Sequence, residues 1–307
     1  MRTPRKLSQN ASGTSREELF DAEEMRRLES LALAARRAHR GRQRAERRSL
    51  KKGAGIEFAD HRVYVPGDDL RALDLAYYQR TGKLQVRLYE EEEDLSVHLL
   101  IDASGSMPMK GRDKLLLGKR LAAALAYIAL VRLDRVSLEA FRDGSTTSLK
   151  PIRGAKRIFR LLDFLEALDG EGETDLRASA RRFIASKPRR GLAVLISDLH
   201  DERGFEGAVD ILRFARFETL ILHIDDIEDY LPRRLGDLTL VDRESGEERQ
   251  VTITPAVAKR LQAAHAARNA KILRYAREKG VRYARIPVDE RYDEATLRLL
   301  HEGILNF

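Results

Sequence analysis

The sequence predicts an α/β fold: a mainly parallel sheet with helices on both faces, preceded by an N-terminal helical segment and a short β-containing segment. From residue 95 onward, short apolar runs of strand length alternate with helical stretches of ten residues or more. That is the pattern of right-handed βαβ units whose sheet is buried on both sides. Hydrophobic residues make up 43% of the 307-residue chain, enough to bury a core in one large domain or two modest ones. The absence of Cys removes a disulfide scaffold, thiolate chemistry and Cys-type zinc sites, and is compatible with a reducing cytosol.

The elements follow in order. Residues 1–15, rich in Ser, Thr, Asn and Gly, read as disordered. Ser15-Arg-Glu-Glu18 has the form of a capping box that opens a helix. That helix is expected to reach about His39, with Leu19, Met25, Leu28, Leu31, Leu33 and Ala35 mostly at helical spacing and Gly41 as its stop. Between 53 and 90, Gly53, Gly55, Pro66-Gly67-Asp68-Asp69 and Gly82 separate short segments at Ile56–Phe58, Arg62–Val65 and Leu84–Tyr89. An acidic run, Glu90–Asp94, leads into a strand at Leu95–Ile101. Beyond it the pattern gives a helix at 113–131, a strand at 135–142, a helix at 155–168 and a loop at 169–175. A helix at 176–186, a strand at 191–197, a helix at 204–215 and a strand at 218–225 come next. Leu238–Val241 and Arg249–Ile253, joined by Asp242–Gly246, read as an antiparallel hairpin. A helix at 256–279, a strand at 281–286 and a helix at 293–303 complete the chain. The expected organisation is a basic tail and helix over 1–52, a Gly/Pro-rich β segment over 53–92, and an α/β domain over 93–307 with a hairpin insertion at about 237–254.

The longest uncharged apolar stretch, Leu121–Val131, is bracketed by Arg120 and Arg132. It falls far short of the roughly 18 to 20 residues a membrane span needs and reads as a buried helix. No apolar core of a secretory signal is visible near the N-terminus, so a soluble, cytoplasmic protein is expected. The net charge of +8 sits in residues 1–52, which hold 15 Lys and Arg against 7 Asp and Glu, and the remainder balances at 42 of each. A run of Arg36, Arg37, Arg40, Arg42, Arg44, Arg47, Arg48, Lys51 and Lys52 suits phosphates or an acidic protein face, or serves as a solvated helix end and linker. No zinc-finger spacing or aromatic interleaving accompanies it, which argues against nucleic acid as the main partner.

In open α/β sheets, ligands bind beyond the carboxyl ends of the strands. Three such places carry chemistry: Asp102-Ala-Ser104-Gly-Ser106 after the strand at 95–101, Thr174-Asp175 in the loop Gly170–Asp175, and Asp198 after the strand at 191–197. Asp102, Ser104, Ser106, Thr174 and Asp198 are all hard oxygen donors, which suit Mg²⁺ or Mn²⁺. Only two of the five are charged. With the hydroxyls bound directly and the carboxylates acting largely through water, the ion stays electron-poor and keeps a position for an incoming carboxylate.

This set, in this order, resembles the metal-ion-dependent adhesion site of von Willebrand factor A domains. Upstream, Gly53-x-Gly55-x-Glu57-Phe58, Arg62-x-Tyr64-x-Pro66-Gly67-Asp68-Asp69-x-Arg71, Asp74, Arg87 and the Glu90–Glu93 run resemble the bacterial "domain of unknown function 58" family, over roughly residues 25–307. The resemblance implies a von Willebrand A-like (Rossmann-like) domain. It further implies a non-catalytic adaptor acting with a MoxR-type AAA+ ATPase on a client protein that offers a Glu or Asp to the ion. The family usually has Trp after the Asp matching Asp74; this chain has Leu75, expected to fill the same apolar pocket. Pro66–Asp69 reads as a tight turn or as a family-specific interaction surface.

Two other classes compete. A metal-dependent hydrolase or phosphotransferase would use the same edge, but Ser104 stands where dehalogenase-type phosphatases place a second Asp, and no phosphate-binding Gly-x-x-x-x-Gly-Lys loop or nucleophile elbow is present. His98 falls inside a strand and His200 reads as a surface or capping residue, with no partnered nucleophile. Nucleic-acid binding by the basic N-terminus is the third.

Overall fold

The computed structural model describes residues 20–46, 57–90, 95–108, 113–142, 145–173, 175–201, 203–231, 235–241 and 248–305. They fall into two compact units: one joins residues up to Ala38 to those from Leu95 onward, and the other lies between His39 and Asp94. Helix α1 (Ala22–Glu46) opens on Asp21, whose carboxylate accepts the N–H groups of Glu23 and Glu24 at 2.8 and 2.7 Å. These are two of the donors that a helix start leaves without partners. The described helix therefore opens six residues after Ser15, and Ser15–Glu18 lie outside the described residues. It also runs through Gly41 to Glu46, because a lone helical Gly costs only about 1 kcal/mol. Leu28, Leu31, Ala32 and Ala35, one stripe of the helix, are buried in the core.

In the second unit, β1 (Glu57–Val63) pairs antiparallel with β2 (Gln85–Glu90). The two short segments expected at 56–58 and 62–65 are thus one strand, with a bulge between Phe58 and Asp60. Pro66-Gly67-Asp68 makes a tight turn: the Asp68 N–H donates to the Val65 carbonyl at 3.0 Å and Gly67 takes a φ of +109°. That φ at the third position of a turn favours Gly. Asp68 accepts from Arg62 at 2.7 Å and from the Val65 N–H at 2.9 Å. Asp74 caps α2 (Leu75–Thr81) through the Tyr77 N–H and holds His61 Nε2 at 2.9 Å. Leu75, at the first helical position, is 63% exposed, so the expectation that it fills an apolar pocket is corrected. Gly53, Gly55 and Glu91–Glu93 lie outside the described residues, as do the basic residues from Arg47 to Lys52.

The first unit is built on a six-stranded sheet of order β10-β7-β6-β3-β4-β5. The strands are β3 (Ser96–Asp102), β4 (Arg135–Arg142), β5 (Ser145–Arg153), β6 (Leu192–Ser197), β7 (Glu218–Asp225) and β10 (Arg282–Pro287). Only the β4/β5 pairing is antiparallel. Side chains alternate across the sheet: Val97, Leu99 and Ile101 join one apolar cluster and Leu100 the other. The first face is covered by α3 (Lys114–Val131), α4 (Ile158–Glu166), α8 (Tyr292–His301) and α1. The second is covered by α5 (Leu176–Ala185), α6 (Glu206–Phe214) and α7 (Pro255–Lys279). The α/β class with helices on both faces is as the sequence predicts.

Every residue of β3 and of β6 is buried, which is why β6 reads as an unbroken apolar run and β3 as one interrupted only by His98 between its polar ends. Gly191, before β6, lies so close to β3 that a Cβ there would come 2.1 Å from the Ser96 carbonyl oxygen. β5 was not anticipated. It is an edge strand with a polar sequence, and Pro151 is tolerated there. The hairpin of β8 (Gly236–Val241) and β9 (Glu248–Ile253) forms as expected, with Asp242–Gly246 outside the described residues. Among the described residues, no helix is long and apolar enough to cross a membrane.

Candidate metal centre

From β3 the chain moves outward through β4 and β5, then returns to the other side of β3 to lay down β6, β7 and β10. The order therefore reverses between β3 and β6, and their carboxyl ends frame the crevice where open α/β sheets bind ligands. Asp102 is the last residue of β3 and Asp198 the first after β6.

Four of the five anticipated donors meet there. Asp102 is fully buried. One of its oxygens accepts the Ser104 N–H at 3.1 Å and the other accepts Ser197 Oγ at 2.6 Å. Ser104 Oγ lies 3.1 Å from Ser106 Oγ, which donates to Asp198 Oδ2 at 3.0 Å. Three oxygens from two loops thus form a continuous chain. Thr174 lies outside the described residues. The loop before it is tied to the site, with the Glu171 N–H donating to the Ala103 carbonyl at 3.0 Å and the Gly105 N–H to that of Gly172 at 2.8 Å. Asp175 caps α5 through the Ala178 N–H and pairs with Arg203.

The loop after β6 is tightly wound. The Leu199 N–H donates to Ser197 Oγ at 2.8 Å and the His200 N–H to Asp198 Oδ1 at 3.0 Å. Leu199 takes a φ of +58°, an uncommon value for a bulky residue. Arg268 on α7 holds that conformation by donating to the Leu199 carbonyl at 2.7 Å.

Lys114, at the first helical position of α3, is unanticipated. Its side chain is 1% exposed, and Nζ donates to Asp198 Oδ2 at 2.6 Å and to Asp229 Oδ2 at 2.7 Å. Asp229, in the loop after β7, also lies 3.7 Å from His200 Nε2. Asp198, His200 and Asp229 present ligand atoms within 4.8 Å of one another. His200, expected at the surface or as a cap, is instead half-buried beside Asp229 and Tyr230. The rule that pointed to Asp102 and Asp198, applied to the end of β7, points to the acidic turn after Asp225 that carries Asp229. No local pattern marks Lys114.

Burial, reinforced by the charge of Asp198, pushes Asp102 up to about 6. Burial, the largest single effect, acts to raise Asp198, but the charge and hydrogen bond of Lys114 together with the contributions of His200 outweigh it and bring that carboxyl down to about 2. Lys114 loses by desolvation and gains more from Asp198 and Asp229, so it is held above the ordinary lysine value. Desolvation pushes His200 down. With His200 neutral, the carboxylates of Asp102, Asp198 and Asp229 outnumber the two cations at this edge, the Lys114 ammonium and the Arg268 guanidinium against the loop after β6, by one. The 3.1 and 3.0 Å steps between Ser104, Ser106 and Asp198 match the separation of about 3.0 Å between neighbouring oxygens around an octahedral ion with metal–oxygen bonds near 2.1 Å. Charge, donor type and spacing all fit Mg²⁺ or Mn²⁺.

The Ser–His contact of the sheet lies elsewhere. His98 Nδ1 meets Ser137 Oγ at 2.7 Å and its Nε2 meets the Arg189 carbonyl at 2.8 Å, between the rings of Phe183 and Phe217. It is a satisfied core histidine.

The fold and this edge define an α/β protein with an acidic, hydroxyl-lined crevice at its topological switch point. The chain belongs to the family described as "Protein of unknown function DUF58", which matches residues 60–271. Among its relatives are the uncharacterized proteins Mb1516 of Mycobacterium bovis and Rv1480 of Mycobacterium tuberculosis. Each is 28% identical over 258 residues, covering 80% of this chain and 79% of the relative. Similar solved structures include an aerotolerance-related membrane protein from Bacteroides fragilis, at 17% identity and TM-score 0.41, covering 68% of this chain and 98% of that one. Another is the conserved hypothetical protein BatB from Bacteroides thetaiotaomicron, at 15% identity and TM-score 0.42, covering 68% and 97%.

Proposed function

We propose that this chain is a non-catalytic, von Willebrand A-like adaptor that binds an acidic side chain of another protein through a divalent ion, and that it works with a MoxR-type AAA+ ATPase. The observation that carries the reading is the meeting of Asp102, Ser104, Ser106 and Asp198 at the β3/β6 switch point: Ser104 Oγ, Ser106 Oγ and Asp198 Oδ2 run at octahedral spacing, and the Ser104 N–H ties Asp102 to that run. Asp102, Ser104, Ser106 and Asp198, joined by Thr174, would hold Mg²⁺ or Mn²⁺. The ion, when bound, supplies a Lewis-acidic position for a Glu or Asp of the client. Ser197 and the Ser104 N–H orient Asp102, and the hydrogen bonds at residues 103–105 and 171–172 fix the loops that carry the hydroxyls. A hydrolytic role is disfavoured by the hydrogen bonding: Ser104 bonds to Ser106 and Ser106 donates to Asp198, so neither hydroxyl is partnered with a histidine base. His200 Nε2 faces Asp229 and Tyr230, away from a nucleophile.

The test is a pull-down from native lysate with wild-type chain and Asp102→Ala, with Mg²⁺ or EDTA, and mass spectrometry of the captured proteins. Capture of a MoxR-type ATPase and its client only with Mg²⁺ and intact Asp102 is the expected outcome. Capture indifferent to both EDTA and the substitution refutes the metal-dependent mechanism.

A further inference from the structure

The Lys114 ammonium is a cation that the chain itself supplies to the crevice. It shares Asp198 Oδ2 with Ser106: Nζ lies 2.6 Å from that oxygen and Ser106 Oγ 3.0 Å. Its other carboxylate, Asp229, hangs from a different loop and its side chain is 16% exposed, against 1% for Asp198. The two ion pairs are therefore unlike. One anchors the ammonium inside the crevice, and the other draws it towards the rim.

We propose that Lys114 is an internal counter-cation that shares Asp198 with the divalent ion and so sets the affinity of the site, with Asp229 retaining the ammonium when the ion is present. The proposal rests on the metal-site reading given above. An ion coordinated directly by Asp198 Oδ2 would lie within about 5 Å of Nζ, and one held through a water a few Å farther, close enough in either case for repulsion in a buried setting. The unpaired arrangement is equally unfavourable, because buried carboxylates without a counter-charge carry a large desolvation cost. Lys114 meets that cost between binding events, tying the start of α3 to the loops after β6 and β7. It keeps the crevice assembled without metal, and the same charge weakens metal binding. Asp229 makes the exchange feasible, since an ammonium leaving Asp198 still has a carboxylate 2.7 Å away.

The test is isothermal titration calorimetry of MgCl₂ and MnCl₂ into the full-length wild-type chain and into Lys114→Met, Asp229→Asn, the Lys114→Met/Asp229→Asn double variant and Asp102→Ala. Circular dichroism checks the folding of each. Lys114→Met is expected to bind at least about tenfold more tightly than wild type, and Asp102→Ala to bind nothing. Asp229→Asn is expected to weaken binding when Lys114 is present and to have a much smaller effect when it is absent. If Asp229 contributed only its own charge, its substitution would have the same effect in both backgrounds, so equal effects overturn the retaining role. The double variant removes the buried pair as a unit and decides the matter if Lys114→Met alone does not fold: affinity tighter than that of Asp229→Asn supports the proposal, and equal affinity overturns it. Equal affinities of wild type and Lys114→Met, with Asp102→Ala silent, overturn the role of Lys114 and leave the metal site standing. Absence of binding in wild type, Lys114→Met and the double variant overturns both.

Discussion

Lowering the pH from 7.5 to 5.0 in EDTA should expose a buried histidine in the stability of the fold. His223 on β7 is almost fully buried, with Nδ1 2.9 Å from the Tyr283 hydroxyl. Desolvation brings its imidazole down to about 3, against the partial opposition of Asp225. In the unfolded chain it titrates near 6.5. The folded value lies below the unfolded one, so its contribution is complete above about pH 6.5 and is lost as the pH falls towards 3. At pH 5.0 the unfolded state takes up the proton and the native state does not, which costs about 2 kcal/mol. His98 and His200, also lowered by burial, act in the same direction. Asp102 acts oppositely: raised to about 6 in the fold, it takes up a proton in the native state at pH 5.0 and returns about 1 kcal/mol. The net change is therefore smaller than the histidine contribution, and comparison with His223→Gln isolates it. Urea unfolding followed by circular dichroism at both pH values should give a loss about 2 kcal/mol smaller in the variant than in wild type. Equal losses in the two proteins would refute the reasoning.

Three further substitutions test the packing around the crevice. Gly191→Ala should lower stability by about 2 to 3 kcal/mol in urea unfolding, because the new methyl meets a strand backbone that cannot yield without separating β3 from β6. Gly170→Ala places a Cβ 2.7 Å from Pro108 Cδ and 3.1 Å from the Ser104 carbonyl oxygen. It should displace the Ser104 loop and weaken Mg²⁺ binding about tenfold by calorimetry, at a stability cost of about 1 to 3 kcal/mol. Asp113→Ala removes the acceptor for the Leu116 N–H at the start of α3 and should cost about 1 kcal/mol, read from the shift of the unfolding midpoint.

The legible parts of this fold were those in which local pattern and tertiary environment agree. β3 and β6, buried on both faces, are written as apolar runs that only His98 interrupts, and the residues that end them are read directly from the rule for open sheets. Asp102, Ser104, Ser106 and Asp198 were accessible for that reason. β5 was not, because an edge strand with one neighbour needs little apolar sequence and Ser145–Arg153 has little. The continuation of α1 past Gly41 shows a weak local penalty that did not end the helix. Leu75 takes the position of the family's larger side chain yet stands exposed. Lys114 shows the deepest limit: a lysine in a first helical turn is ordinarily solvated, and its burial arises only because loops after β6 and β7 close over it.

The hydrogen bonds that build the crevice bridge long distances along the chain: 95 residues from Ser197 to Asp102, 92 from Ser106 to Asp198, and 115 from Lys114 to Asp229. Each closes a loop whose entropy must be met before the contact gives anything back. A nascent or partly unfolded chain that has formed β3 and α3 but lacks β7 holds Asp102 and both serines, yet leaves Asp198 without its ammonium's second carboxylate. The full set of charges in the crevice therefore comes together late, with the last of these closures.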